Sequence, residues 1–326
     1  MADVQIGYTL SSEEHTPNDL VRHAQMAEEA GFAFLSISDH YHPWVDAQGH
    51  SPFVWSVIGG IAAVTERIPL GTGVTCPTVR IHPAVIAQAA ATSAAMMPGR
   101  FFFGVGSGEA LNEHITGERW PETEVRLAML EEAVEVIRLL WQGGNQSHHG
   151  TYYTVENARL YTLPEEEIPI VVSATGPKAA ELAGRIGDGL WNTSADKKVV
   201  ETFEGAGGSG PRYGQITVCW GEDERKALDL AHKIWPTSGI PGELSQELPT
   251  PAHFEQAAQL VTPEKIAESV VVGPDASKYH AKIDEYIQAG YDHVYLHQIG
   301  PDQAGYIRFA EREILPQYAG ARARAA

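Results

Sequence analysis

The sequence predicts an α/β fold, a (β/α)8 TIM barrel built as one domain over residues 1–326. Three observations carry this. Eight short runs rich in β-branched and aromatic residues alternate with mostly helical segments. Several runs are continuously apolar, as in Phe101-Phe102-Phe103-Gly104-Val105, which suits parallel strands covered on both faces. A length of 326 residues also falls within the range of one such barrel. A doubly wound open sheet shares the alternation, so closure is an expectation.

The strand runs fall at 5–10, 33–38, 68–76, 100–106, 168–174, 189–193, 215–220 and 293–299. Between the first two, residues 17–30 begin with Pro17, carry Leu20, Ala24 and Ala27 on one face and stop at Gly31, the expected asymmetry of helix ends. Residues 122–142 show an apolar stripe of Leu130, Val134, Ile137 and Trp141, closed by Gly143-Gly144. His148-His149 before Gly150 reads as an exposed hairpin. Asp275 or Ser277 caps a helix running to Ala289, and Gly290 closes it. Two segments break the rhythm. Residues 204–211 are glycine-rich and short where a full helix is expected, and residues 235–262, with Pro236, Pro241, Pro249 and Pro251, read as an insertion over a barrel end.

Composition narrows the function. Hydrophobic residues at 43% and charged residues at 20% permit a sizeable core and exclude wholesale disorder. Asp plus Glu number 42 against 23 Lys plus Arg, a net charge of −19 that repels phosphate backbones, so no nucleic-acid partner is expected. Cys76 and Cys219 cannot form a disulfide framework and fit a reducing compartment. There is no run of 18 apolar residues and no basic-then-apolar leader, so the expectation is a cytoplasmic protein with no membrane partner.

In a barrel the residues just past the strand ends surround the active site. After the second strand, Ser38-Asp39-His40-Tyr41-His42-Pro43-Trp44 gathers two imidazoles, a carboxylate and an indole. An imidazole there can exchange a proton near neutral pH; the plainer reading is a turn capped by Asp39 with surface histidines, and a His-x-His pair lacks in-sequence partners for a complete metal site, so no metal is expected. After the third, Gly71-Thr72-Gly73-Val74-Thr75-Cys76 permits close approach of a flat ring or simply turns at the rim; Cys76 has no adjacent base. After the fourth, Gly106-Ser107-Gly108-Glu109-Ala110-Leu111-Asn112 exposes amides without the spacing of a dinucleotide fingerprint. After the fifth, Thr175-Gly176-Pro177-Lys178-Ala179 opens a helix whose free amides, dipole and lysine can hold a phosphate, or which is capped with no ligand.

Taken together, Ser38–Trp44, the run Gly104-Val105-Gly106-Ser107-Gly108-Glu109-Ala110-Leu111-Asn112-Glu113, and Pro83–Ala89 resemble segments of the deazaflavin (coenzyme F420)-dependent glucose-6-phosphate dehydrogenases, within the bacterial-luciferase-type oxidoreductases. The resemblance spans nearly the whole chain. It implies a TIM barrel with insertions at the C-terminal face, coenzyme F420 as cofactor, a homodimer, and transfer of hydride from an alcohol or sugar carbon to C5 of the deazaflavin. It implies His40 and Glu109 as the proton-transfer pair and Trp44 as the aromatic that stabilises the reacting state. It implies Asp39, Cys76 (commonly Thr in relatives), Ser107, Gly108 and Asn112 as cofactor contacts, and Gly73-Val74 as a cis peptide behind the ring. Thr175, Gly176, Lys178 and Ala179 fall around the cofactor phosphate, and Thr193 at the substrate. In the sugar-phosphate members two lysines and an arginine bind the substrate phosphate; a gap-free placement puts Asp196, Ser245 and Ser269 there, with Lys197 or Lys198 in reach after a slip of one or two residues. The expected substrate is therefore an unphosphorylated alcohol or sugar. Alternatives are a sugar-6-phosphate dehydrogenase, an FMN-dependent monooxygenase of the same barrel type, or a protein that stores the deazaflavin.

Overall fold

The computed structural model describes residues 4–240 and 242–318. Eight parallel strands close a barrel: β1 (Gln5–Leu10), β2 (Leu35–Ile37), β3 (Leu70–Thr72), β4 (Phe101–Val105), β5 (Ile170–Ser173), β6 (Gly189–Asn192), β7 (Arg212–Cys219) and β8 (His293–Gln298). Each pairs with the next, β8 returns to β1 with Tyr8 opposite Leu296, and the seam between β6 and β7 is made by Leu190–Asn192 against Arg212–Gly214. Beyond the end of β6, the two-residue strand Val271–Val272 takes its place beside Val218 and Cys219 of β7. The expected runs at 33–38 and 68–76 contract to three residues each, because the chain leaves the ladder to form the loops of the mouth.

Helices clothe the barrel. Helix α1 (Pro17–Ala30) starts on Thr16, whose side chain accepts the Asp19 amide, and ends on Gly31 at φ +89°, a conformation that favours glycine. Helices α2 (Val54–Val64), α3 (Pro83–Met96), α4 (Ala110–Glu113), α5 (Thr123–Trp141) and α6 (Pro177–Ile186) follow. The segment before β7 is helical after all: α7 (Lys197–Gly205) precedes the glycine-rich turn, nucleated by Asp196, whose carboxylate accepts the Lys198 and Val199 amides. The glycine count masked this cap, since four glycines and a proline after residue 204 dominate the local composition. The chain continues through α8 (Glu224–Ile234), α9 (Leu244–Glu247), α10 (Pro251–Ala258), α11 (Pro263–Ser269), α12 (Ala276–Ala289, capped by Asp275) and α13 (Gln303–Phe309). His148 and His149 lie in an antiparallel hairpin, Gln146–His149 with Thr154–Ala158.

The barrel interior is filled in its lower half by Phe34, Phe102, Val171, Trp191, Tyr213 and Tyr295. Phe102 and Tyr213 stack at 5.1 Å, and Trp191 lies 5.1 Å from Tyr213 and 4.5 Å from Tyr295. Room for these rings comes from Gly7 and Gly71, where a Cβ would lie 2.5 Å from Phe34 and 2.0 Å from Phe102. The larger apolar cluster lies between strands and helices. At the C-terminal strand ends, Phe254 of α10 packs edge-on against Trp44 at 5.1 Å and shares a buried cluster with Val45 and Leu111. The segment holding α9 and α10 is thereby seated on the loops that follow β2 and β4.

Candidate active site

The strand ends bring together residues that are distant in sequence. Two consecutive carboxylates follow β1. Glu13 is buried, and its Oε1 faces His40 Nε2 at 3.4 Å while its Oε2 accepts hydrogen bonds from Ser38 Oγ at 2.6 Å and Ser11 Oγ at 3.1 Å. His40 Nδ1 lies 3.3 Å from the His42 carbonyl, and its ring sits 5.0 Å from Trp44. Both neighbours of the His40 ring accept hydrogen bonds, so a proton taken up by this imidazole finds a partner on either nitrogen. His42 is turned away, with Nδ1 on the Leu111 carbonyl at 2.9 Å. Among the described residues, no group of three side chains capable of holding a metal ion occurs.

Beneath this loop lies a buried ion cluster. Asp39 Oδ2 accepts Thr75 Oγ1 at 2.8 Å, and its Oδ1 accepts Arg80 Nη2 at 2.8 Å. The Arg80 guanidinium also faces Glu113 Oε1 at 3.5 Å, and the Arg80 amide donates to Glu113 Oε2 at 2.7 Å. Burial pushes the Glu113 carboxyl up to about 7 against the pull of Arg80. Asn112 Oδ1 accepts the amides of Tyr41 and His42 at 2.8 and 3.2 Å, and Asn112 Nδ2 lies 3.4 Å from Glu109 Oε2. One asparagine thus ties the loop carrying His40 to the helix start carrying Glu109. Cys76 is buried, with Sγ 2.9 Å from Thr78 Oγ1; burial pushes its thiol well above the ordinary range, so it is no nucleophile at neutral pH.

Several features form surfaces for a flat, anionic ligand. The Gly73-Val74 peptide is cis. Gly104 and Gly106 press against it so closely that a Cβ would lie 1.9 Å from the Thr72 carbonyl oxygen and 2.7 Å from Val74 Cγ2. Gly108 adopts φ +82°, and a Cβ there would meet Cys76 Sγ at 2.5 Å. Ser107 is half-buried beside it. At the start of α6, Thr175 is exposed and Gly176 is the cap residue with no side-chain bond to the first amides and with open space around its Cα. The amides of Lys178 and Ala179 belong to this uncapped turn, the donor set an anion requires. Lys178 itself is exposed and paired with Glu124, which raises its pKa.

On the substrate side Thr193 is exposed at the end of β6. Asp196 is committed to capping α7. Lys197 is paired with Glu201 at 3.6 Å, and Lys198 is exposed. Ser245 Oγ lies 3.5 Å from the Gly242 carbonyl, and Ser269 Oγ donates to the Ile266 carbonyl at 3.2 Å. Arg126 is almost fully buried; it donates to Glu247 Oε1 and Gln246 Oε1, each at 3.0 Å, and lies 4.5 Å over the Trp120 ring.

Sequence reading passed over Glu13, Glu14, Arg80 and His297. The rule that selects residues past strand ends, applied to β1 as to the others, picks out Glu13 and Glu14; His297 lies within β8, one residue before its end, and falls outside that rule. Arg80 lies eight residues past β3 and carries no local signal; only the packed loop brings it to Asp39.

Comparison with known proteins places this geometry. Residues 2–293 match the family described as luciferase-like monooxygenase. An F420-dependent glucose-6-phosphate dehydrogenase of Nocardia farcinica is 38% identical over 332 residues, 97% of this chain and 98% of the relative. Its counterpart in Microbacterium testaceum is 36% identical over 96% of this chain and 97% of its own. A solved F420-dependent secondary alcohol dehydrogenase, in complex with an F420-acetone adduct, superposes with a TM-score of 0.89 at 32% identity, over 96% of this chain and 98% of that one. The F420-dependent tetrahydromethanopterin reductase of Methanopyrus kandleri, at 23% identity and a TM-score of 0.76, shares the fold.

Proposed function

The chain belongs to the luciferase-like monooxygenase family, and from that premise we propose that it oxidises an uncharged alcohol or sugar carbon rather than a phosphorylated sugar. It is an F420-dependent oxidoreductase acting on CH–OH groups. When bound, coenzyme F420 supplies the hydride acceptor; the protein supplies binding, orientation and proton handling. Thr175, Gly176, Lys178 and Ala179 hold its phosphate. The cis Gly73-Val74 peptide supports the ring, and Asp39, Cys76, Ser107, Gly108 and Asn112 line the remainder. As hydride leaves the substrate carbon, the hydroxyl must lose its proton. His40 takes it, with Glu13 opposing the charge that develops on the imidazole. Glu109 manages the proton on the cofactor side, and Trp44, 5.0 Å from the His40 ring, stabilises the reacting state. The whole chain is read as one barrel domain with an insertion at 235–262. A cytoplasmic homodimer is part of the proposal, carried by the family resemblance, and light scattering tests the stoichiometry. Among the described residues, no helix is long and apolar enough to cross a membrane.

The observation that carries the substrate reading is Asp196. A phosphate at the start of α7 would need its free amides, yet Asp196 already accepts two of them and adds negative charge. The mouth also holds Glu13, Glu14, Asp39, Glu109 and Glu113, and Arg80 is spent on two of these. Losing even two charge-assisted hydrogen bonds costs roughly 3–6 kcal/mol, at least a hundredfold in affinity. Steady-state kinetics with secondary alcohols, glucose and glucose 6-phosphate decide it. A kcat/KM for glucose 6-phosphate well above the others overturns the proposal. That second reading is favoured by the names of the relatives and by Lys198, which makes no ion pair among the described residues. Titration with both cofactors separates either reading from a flavin enzyme: coenzyme F420 is expected to bind more tightly than FMN.

A further inference from the structure

A second buried carboxylate–imidazole pair lies at the barrel mouth. Inward-facing positions alternate along β8, and Tyr295 belongs to the aromatic filling of the lower barrel. His297, two residues further on, shares that face one layer higher, where the strand ends. Its register partner on β7 is Thr217, which is half-buried and accepts Gln215 Nε2 at 3.3 Å. In the same layer, Thr9 and Ser36 exchange a hydrogen bond at 3.1 Å. The interior thus changes from aromatic rings to hydroxyls and an imidazole within one layer of side chains.

His297 is held from behind. Its Nε2 faces Glu14 Oε1 at 3.4 Å, and its ring meets Trp235 edge-on at 4.6 Å. Glu14 also accepts Trp235 Nε1 and the Gly300 amide, the latter at 2.7 Å. Glu14 pairs with His297 as Glu13 pairs with His40, on the next residue of the same turn. The charge of a carboxylate 3.4 Å from Nε2 favours the ring proton on that nitrogen, which leaves the Nδ1 lone pair to accept. No hydrogen bond from the described residues reaches either ring nitrogen; Nε2 is buried without one and is held only by its ion-pair contact with Glu14. An acceptor backed by a carboxylate recognises a hydroxyl, which brings a proton, and disfavours a phosphate dianion or a carboxylate, which brings none.

We propose that His297 and Thr217 bind a second hydroxyl of the substrate, so that the enzyme selects diols and polyols, uncharged sugars included, over simple monoalcohols. The inference rests on the proposed oxidation of an uncharged alcohol. The experiment compares cis-1,2-cyclohexanediol with cyclohexanol on the F420-loaded enzyme, with cofactor binding measured separately by fluorescence titration. In the wild type, kcat/KM is expected to be about tenfold or more higher for the diol, the worth of one satisfied hydrogen bond. His297→Leu should bring the ratio close to one, and His297→Asn, whose amide oxygen can accept in place of Nδ1, should restore part of it. Equal wild-type values, or an unchanged ratio in His297→Leu, overturn the inference alone. Should His297→Leu not fold, the wild-type ratio and His297→Asn decide. Turnover of glucose 6-phosphate with neither cyclohexyl alcohol oxidised, while the cofactor binds, removes the functional reading and the inference with it.

Discussion

The lower interior of the barrel is built on the strands and the mouth above it largely on the loops that follow them, and the two obey opposite rules. Below, Phe34, Phe102, Trp191, Tyr213 and Tyr295 interlock with little beyond dispersion and burial to hold them. Above, the side chains of Glu13, Glu14, Asp39, Arg80, Glu113 and His297 are buried yet charged or polar. Each of these is retained only because a partner lies within hydrogen-bond or ion-pair distance. The contrast teaches where stability and chemistry reside. The aromatic half is held mainly by packing, with the Tyr295 hydroxyl donating to the Asn192 carbonyl at 3.3 Å; the polar half is costly to fold and is the half that can move protons.

The largest expected effect sharpens the contrast. His40→Ala and Glu109→Gln should each lower kcat by roughly 10²–10⁴-fold while cofactor binding stays close to wild type. Steady-state and fluorescence titrations check both. Near wild-type turnover in either variant would remove that residue from the proton-transfer pair. In the lower half the pattern inverts: Phe102→Ala should cost about 3–5 kcal/mol of unfolding free energy, read from denaturant melts, with little change in cofactor affinity.

Arg80 tests the boundary between the halves. Arg80→Met leaves Asp39 and Glu113 buried without their cation, which should cost about 3–5 kcal/mol and weaken cofactor binding together. A variant that lost only one of the two would show that structural and functional roles separate at this residue. The smallest effect concerns Glu113. Its folded carboxyl titrates at about 7 against the ordinary 4.5, so the native state holds an extra proton between those values. The contribution of this group to stability is greatest below the ordinary value and is lost as pH rises through about 7. Glu113→Gln should flatten that part of the melting temperature profile; an unchanged slope would assign it to another group.

Much of this was legible in the chain. The strand rhythm, the helix start at Pro17, the cap at Asp275 and the stop at Gly31 are local, so backbone preference and apolar period reveal them without tertiary contacts. The helix before β7 was hidden because one capping aspartate stood ahead of a glycine-rich run. The loop after β2 drew attention through its residue types, and the structure shows why those types are kept apart: His40 turns toward Glu13 and His42 toward the Leu111 carbonyl.

By itself the sequence determined the alternation of strands and helices, the acidic balance and the concentration of proton-active residues at strand ends, all of which follow from composition and short-range periodicity. Tertiary structure alone decided which charges meet. Glu13 reaches His40 across 27 positions and Arg80 reaches Asp39 across 41, each between the loops of neighbouring strands, while Glu14 reaches His297 across 283 through the pairing of β8 with β1. A buried charge is stable only beside its partner, and the identity of that partner is a property of the closed barrel that no local window of the chain contains.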